Sequence, residues 1–206
     1  MKREVAVDTL VTGAATIASV VAGAKLVGRV AVAGDAAALA AASVYAATLV
    51  IAYAASTMYH LAHAGRGRAF FQALDHTTIF LLIAGTYTPF CVLALRYDGG
   101  MPLLAAVWAL GLIGIGIRLA WLRRAYRLAP LLYLLQGWIG VPWAAALVRA
   151  AGTGALILVV AGGVAYTAGI AFYLWRSLRY GNLIWHLFVI AGSACHYAAI
   201  ARYLIR

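Results

Sequence analysis

Residues 36–59 read AAALAAASVYAATLVIAYAASTMY, a run without a single charge that ends against His60. About 20 apolar residues suffice for a helix to cross the hydrocarbon layer of a bilayer, so this stretch reads as a complete transmembrane helix. Working outward, the same pattern recurs at Thr77 to Leu95, Gly99 to Ile117, Leu128 to Val148, Ala150 to Trp175 and Tyr180 to Ala201, with a weaker Ala-, Gly- and Val-rich run at Thr9 to Ala24. The expectation is an all-α integral membrane protein, a seven-helix bundle forming one domain over 1–206. Its approximate spans are 5–26, 36–59, 77–96, 100–121, 128–148, 154–175 and 181–203. A β-barrel is excluded because the runs are continuously apolar and do not alternate with period two. Interior Gly and Ala residues would let the helix backbones approach closely, and Tyr97, Trp121, Tyr126, Trp175 and Tyr180 stand at span ends, as an interfacial belt requires.

Composition agrees. Hydrophobic residues make up 66% of the chain and charged residues only 10%, too few to cover a soluble domain. The net charge of +11 does not point to nucleic acid, because the basic residues punctuate apolar blocks instead of forming one surface. Cys91 and Cys195 lie inside apolar runs and suggest no disulfide framework. Lys2 and Arg3 precede an apolar run that lacks a signal-peptide cleavage pattern, so the run reads as the first span. Lys/Arg residues number ten at one end of the bundle and six at the other. The richer end is expected in the cytoplasm, which puts the N-terminus inside the cell membrane and the C-terminus outside. Arg118 to Arg127 then form a cytoplasmic basic cluster suited to anionic lipid.

Ionisable groups at membrane depth are costly, so the few present are informative. His60 ends the second span, Asp75 and His76 begin the third, and His186 lies near the start of the seventh. Alternating topology brings all four to one end. Ser56 and His60 are four residues apart and share a helix face, as do Asn182 and His186, with Ser193 two turns further on. Imidazoles and a carboxylate gathered in a dry site are a ligand set for Zn²⁺, with Ser56 bonded to His60 or to a water. The same residues equally suit interfacial histidines hydrogen-bonded to backbone or water. His63 reads as solvated, and His196, about 15 Å beyond His186, is too deep to join them and suits an interhelical hydrogen bond.

The runs Ser56-Thr57-Met58-Tyr59-His60, Leu74-Asp75-His76, Gly85-Thr86-Tyr87-Thr88-Pro89-Phe90 and Ile184-Trp185-His186-Leu187-Phe188-Val189, continued by Gly192-Ser193 and Cys195-His196, closely resemble the bacterial haemolysin III family, kin of the progestin and adiponectin receptors. Tyr133-Leu134 and Gly137-Trp138 extend the resemblance along nearly the whole chain. It implies an inside N-terminus and an intramembrane zinc near the cytoplasmic face. Of the three zinc histidines of the eukaryotic relatives, two map onto His60 and His186. The third maps onto Asn182, a departure that weakens the ligand set, since a neutral amide binds zinc poorly. The nearby aspartate and serine map onto Asp75 and Ser56. The family's E-x-x-N-x-x-x-H start is replaced by Glu4, Asp8 and Thr12. Asp75 or His76 would complete the zinc site, or the polar residues form a hydrogen-bond network without metal.

Three functions stay open. In the first, zinc on His60, His186 and Asp75 serves hydrolysis of a lipid amide or ester, with Asp75 and Ser56 as catalytic groups, as the resemblance to lipid-amidase relatives implies. The second is a non-enzymatic sensor or regulator of lipid state that keeps the scaffold with a decayed site. The third is a pore-forming cytolysin, which would need a polar path that the Ala-, Leu- and Val-rich span centres do not offer. Membrane lipids are the expected partners in each.

Overall fold

The computed structural model describes residues 2–62, 66–120, 125–175 and 177–205, and it is helical throughout. Helix α1 runs over Lys2–Ala33, α2 over Ala36–Leu61, α3 over Arg66–Pro89 and α4 over Gly100–Ala120. They are followed by α5 at Ala125–Trp138, α6 at Ala144–Ala151, α7 at Thr153–Leu174 and α8 at Gly181–Ala199. Among the described residues, seven helical stretches are long and apolar enough to cross a membrane. His63, Trp121, Arg123, Arg124, Arg176 and Arg206 lie outside the described residues, as do the side chains of Lys2, Arg3, Arg66, Tyr126 and Arg127.

Local chemistry sets the helix ends. Gly34, at φ 74°, makes the left-handed turn that closes α1, and Asp35 then caps α2 by accepting from the amides of Ala37 (2.9 Å) and Ala38 (3.1 Å). Pro89 offers no N–H to the turn below it, and α3 continues through a wide π turn at Phe90–Ala94. A second π turn at Ile200–Leu204 extends α8.

α1 packs on α2, α2 on α3, α3 on α4 and α7 on α8, and α8 returns to α1. Small residues set these approaches. A Cβ at Gly85 would fall on the Thr48 side chain, so the α3 backbone lies directly against that side chain of α2. Gln136, fully buried on α5, donates from Nε2 to the carbonyls of Phe80 (3.2 Å) and Val107 (3.0 Å) and ties α5 to α3 and α4. Across the α1–α2 seam Thr16 and Thr57 share a hydroxyl bond of 3.0 Å, and Tyr197 donates to the Ala22 carbonyl at 3.2 Å across the α1–α8 seam.

The fifth span is not the single rod its hydropathy suggests. It breaks between α5 and α6 at a short 3₁₀ turn, Val141–Trp143, containing Pro142. Backbone freed inside a membrane must find partners. Here the Tyr87 hydroxyl donates to the Gly137 carbonyl (2.7 Å) and accepts from the Gly140 amide (3.1 Å). Tyr87→Phe is therefore expected to destabilise the protein by about 1–2 kcal/mol, seen as a lower unfolding temperature in detergent. An unchanged unfolding temperature would show that other groups serve the break.

Candidate functional site

One end of the bundle, the end holding the N-terminus, gathers most of the buried ionisable groups. Asp8 comes from the second turn of α1, His60 from the last turn of α2, Asp75 from α3, and Asn182 and His186 from the first turns of α8. Asp75 and His76 lie well inside α3, which starts at Arg66, ahead of the start that hydropathy sets for the third span. Asp8, Ser56, His60 and His186 are all at least nine-tenths buried, whereas Asn182 is exposed at the mouth.

His60 Nε2 stands 3.1 Å from His186 Nε2, with the rings edge to face. Asn182 Nδ2 lies 3.1 Å from Asp8 Oδ2 and 3.4 Å from His60 Nε2. An amide nitrogen beside a carboxylate donates, so Asn182 links the acid of α1 to the imidazole of α2. These contacts overcommit His60. Its Nε2 carries either one proton or one in-plane lone pair. As a lone pair it faces two donors. As an N–H it meets the Asn182 amide donor head-on while bonding His186. One contact in three cannot be a good hydrogen bond in either tautomer.

The same spacing would also admit a shared cation. Two imidazoles on one tetrahedral zinc, with bonds of about 2.0–2.1 Å, bring their nitrogens to roughly 3.3–3.4 Å, near the observed separation. The two histidines thus fit a metal. Among the described residues, however, no third His, Cys, Asp or Glu joins them at ligand distance. The third corner is filled by the Asn182 amide.

Asp75 occupies a separate recess. A cavity of about 30 Å³, room for one water, is lined by Ser56, Asp75, Thr78, Tyr53 and His186 among others. Ser56 and Asp75 are near enough to interact across it, and the buried Ser56 Oγ makes no well-formed hydrogen bond, to His60 or to any other described group. Beyond it a cavity of about 320 Å³ runs between α3, α5, α6, α7 and α8, with almost wholly apolar walls. Ile79, Leu82, Trp185 and Val189 line both, so the large cavity abuts the polar recess.

Two expectations are corrected. His76 is not turned to the pair: its Nδ1 lies 2.9 Å from Arg118 Nη2. A guanidinium only donates, so this nitrogen must accept and offers no lone pair to a metal. Arg118 in turn is not part of a lipid-facing cluster, being 4% exposed and held inside the bundle by that bond. His196 does make an interhelical bond, donating from Nε2 to the Val159 carbonyl at 3.1 Å. Sequence reasoning gave Asp8 no role at the site. Its only signal was a carboxylate directly before the apolar run of the first span. It also left unpaired a central network in which Tyr53 and Tyr166 each bond Ser193 Oγ at 2.8 Å.

Among the described residues, seven apolar helices with a buried histidine pair at one end and an apolar cavity between them define a multi-pass membrane protein. Residues 8–197 match the family described as haemolysin-III related, and the chain belongs to that family. It is 37% identical over 172 residues to "Hemolysin-3" of Bacillus cereus, covering 84% of this chain and 78% of that protein. It is 30% identical over 164 residues to the "Hemolysin-3 homolog" of Bacillus subtilis, covering 80% and 77%. The human "Monocyte to macrophage differentiation factor" is 28% identical over 172 residues, covering 79% and 70%.

Proposed function

We propose that the protein takes one acyl chain of a membrane lipid into the large cavity and presents the polar linkage to the recess of Asp75, Ser56 and His186, where an ester or amide is hydrolysed with a divalent cation, zinc above all, on His60 and His186. The observation that carries this reading is the shared wall of the two cavities. From Ile79 to Phe90 the large cavity follows α3 for about 16 Å, a length suited to a chain and not to a compact solute. The cation supplies Lewis acidity toward the substrate carbonyl. The rest belongs to the protein. The apolar walls exclude water and align the chain, so the carbonyl arrives where the recess begins. Asp75, the carboxylate of that recess, takes and returns the proton of the attacking water, while the Ser56 hydroxyl, otherwise poorly bonded, orients that water. Catalysis sits at the end that the Lys/Arg bias assigns to the cytoplasm.

The reading is checked by Ile79→Trp, which fills the junction of the two cavities with an indole. Lipid carried through detergent purification, counted by native mass spectrometry, should fall at least severalfold while the unfolding temperature holds. Undiminished lipid would place the chain elsewhere. A second reading, a non-enzymatic sensor of lipid state, is favoured by the Asn182 amide in the third corner. It predicts the same lipid occupancy with no turnover. The name of the Bacillus cereus relative suggests lysis, but a pore needs a polar lining and the large cavity is walled by side chains such as Leu82, Phe90, Leu103 and Val189.

A further inference from the structure

We propose that Asp8 is the third, anionic ligand of the divalent cation, so that the site is assembled between α1, α2 and α8 and Asn182 serves to hold that carboxylate in place. The inference rests on the cation reading above and deepens it.

Asp8 is 7% exposed on a membrane-spanning helix, and the one hydrogen bond its carboxylate receives among the described residues comes from the neutral Asn182 amide. None of the ion pairs among those residues involves it. A buried carboxyl group with no ion-pair partner is costly and persists only where something offsets it. The groups closest to it along the hydrogen-bond chain are the two imidazoles, which converge on each other at 3.1 Å. Two neutral imidazoles and one carboxylate carry a single negative charge, a set that holds a divalent cation and leaves a position open.

The placement of Asp8 is built and not incidental. The Thr16–Thr57 bond fastens α1 to α2, the Tyr197–Ala22 bond fastens it to α8, and Arg179 reaches Glu4 at 3.6 Å one turn from Asp8. These contacts fix the helix face that carries the acid. Asn182, exposed at the mouth, contacts both the carboxylate (3.1 Å) and His60 (3.4 Å), so the acid lies one hydrogen-bonded residue away from the imidazole pair. The residue that reads as a lost ligand in the sequence thereby becomes a positioning residue for a substitute. Asp75 has a different task, since it shares its recess with Ser56, on the side where the apolar cavity arrives.

The test uses the full-length protein in detergent, stripped of metal and titrated with Zn²⁺ against a chromophoric chelator and with Co²⁺ by visible absorption. Wild type should bind one ion, with the intense Co²⁺ bands of a four-coordinate site. Asp8→Asn should weaken binding by about a hundredfold or more, as His60→Ala does, while Asn182→Ala costs about tenfold, the usual scale for a residue that orients a ligand. Asp75→Asn should change affinity less than about threefold. Asp8→Glu should recover part of the affinity and alter the Co²⁺ spectrum, which a merely structural role for Asp8 would not do. Binding lost in His60→Ala but kept in Asp8→Asn would overturn the assignment and leave the cation reading standing. A wild-type protein that binds neither ion would overturn both.

Discussion

His186→Ala should abolish both cation binding and any lipid hydrolysis, with the bundle still folded. Among the described residues the imidazole is one of two that meet at the site, its Nε2 lying 3.1 Å from that of its partner. It is also the one residue that belongs both to that pair and to the recess of Asp75 and Ser56. If the proposed cation is held there, removal of the imidazole would disconnect that cation from the position where the carbonyl would sit, and the loss of rate should reach about a thousandfold or more, the scale on which essential groups act. Release of fatty acid from ester- and amide-linked lipids in mixed micelles, followed by mass spectrometry, measures it. Activity that survives both the substitution and chelation would remove the hydrolase reading. Absence of activity in the wild type, with lipid still bound, would favour the sensor.

Gly85→Leu is expected to have the largest effect on stability. Even a Cβ at this position would meet Thr48, so the α2–α3 seam must open to admit four more carbons. Overpacking of a close helix contact costs about 1–3 kcal/mol or more, and no rotamer of the new side chain avoids the facing helix. The site would share the damage, because α2 carries Ser56 and His60 while α3 carries Asp75. Pairing the change with Thr48→Gly should restore part of the unfolding temperature. If the single variant melts like wild type, the two helices do not approach as closely as described.

The bundle is legible in the sequence because hydrophobic thickness is a one-dimensional property. Residues 36–59 announce a span by length and composition alone, and alternation then brings His60 and His186 to a common end. Less legible is the break in the fifth span. Pro142 marks it, but the partner that makes it tolerable, Tyr87, lies on another helix. Arg118 misleads for a related reason. A basic residue at a span end ordinarily faces headgroups, and only the packed structure turns it inward onto His76. The candidate site divides along the same line. His60, Asp75, Ser56 and His186 stand out as costly polar residues within matching motifs. Asp8 does not, because its meaning depends on contact with Asn182, a residue 174 positions away. The apolar cavity is hidden too, since its walls are ordinary membrane-helix residues drawn from several helices.

The most direct test of the account is the metal content of the purified protein, measured by elemental analysis on wild type and on His60→Ala after identical exposure to zinc and removal of the excess. About one zinc per chain is expected in the wild type and none in the variant, as befits a site that depends on a pair of imidazoles. Equal zinc in the two proteins, or none in either, would contradict it.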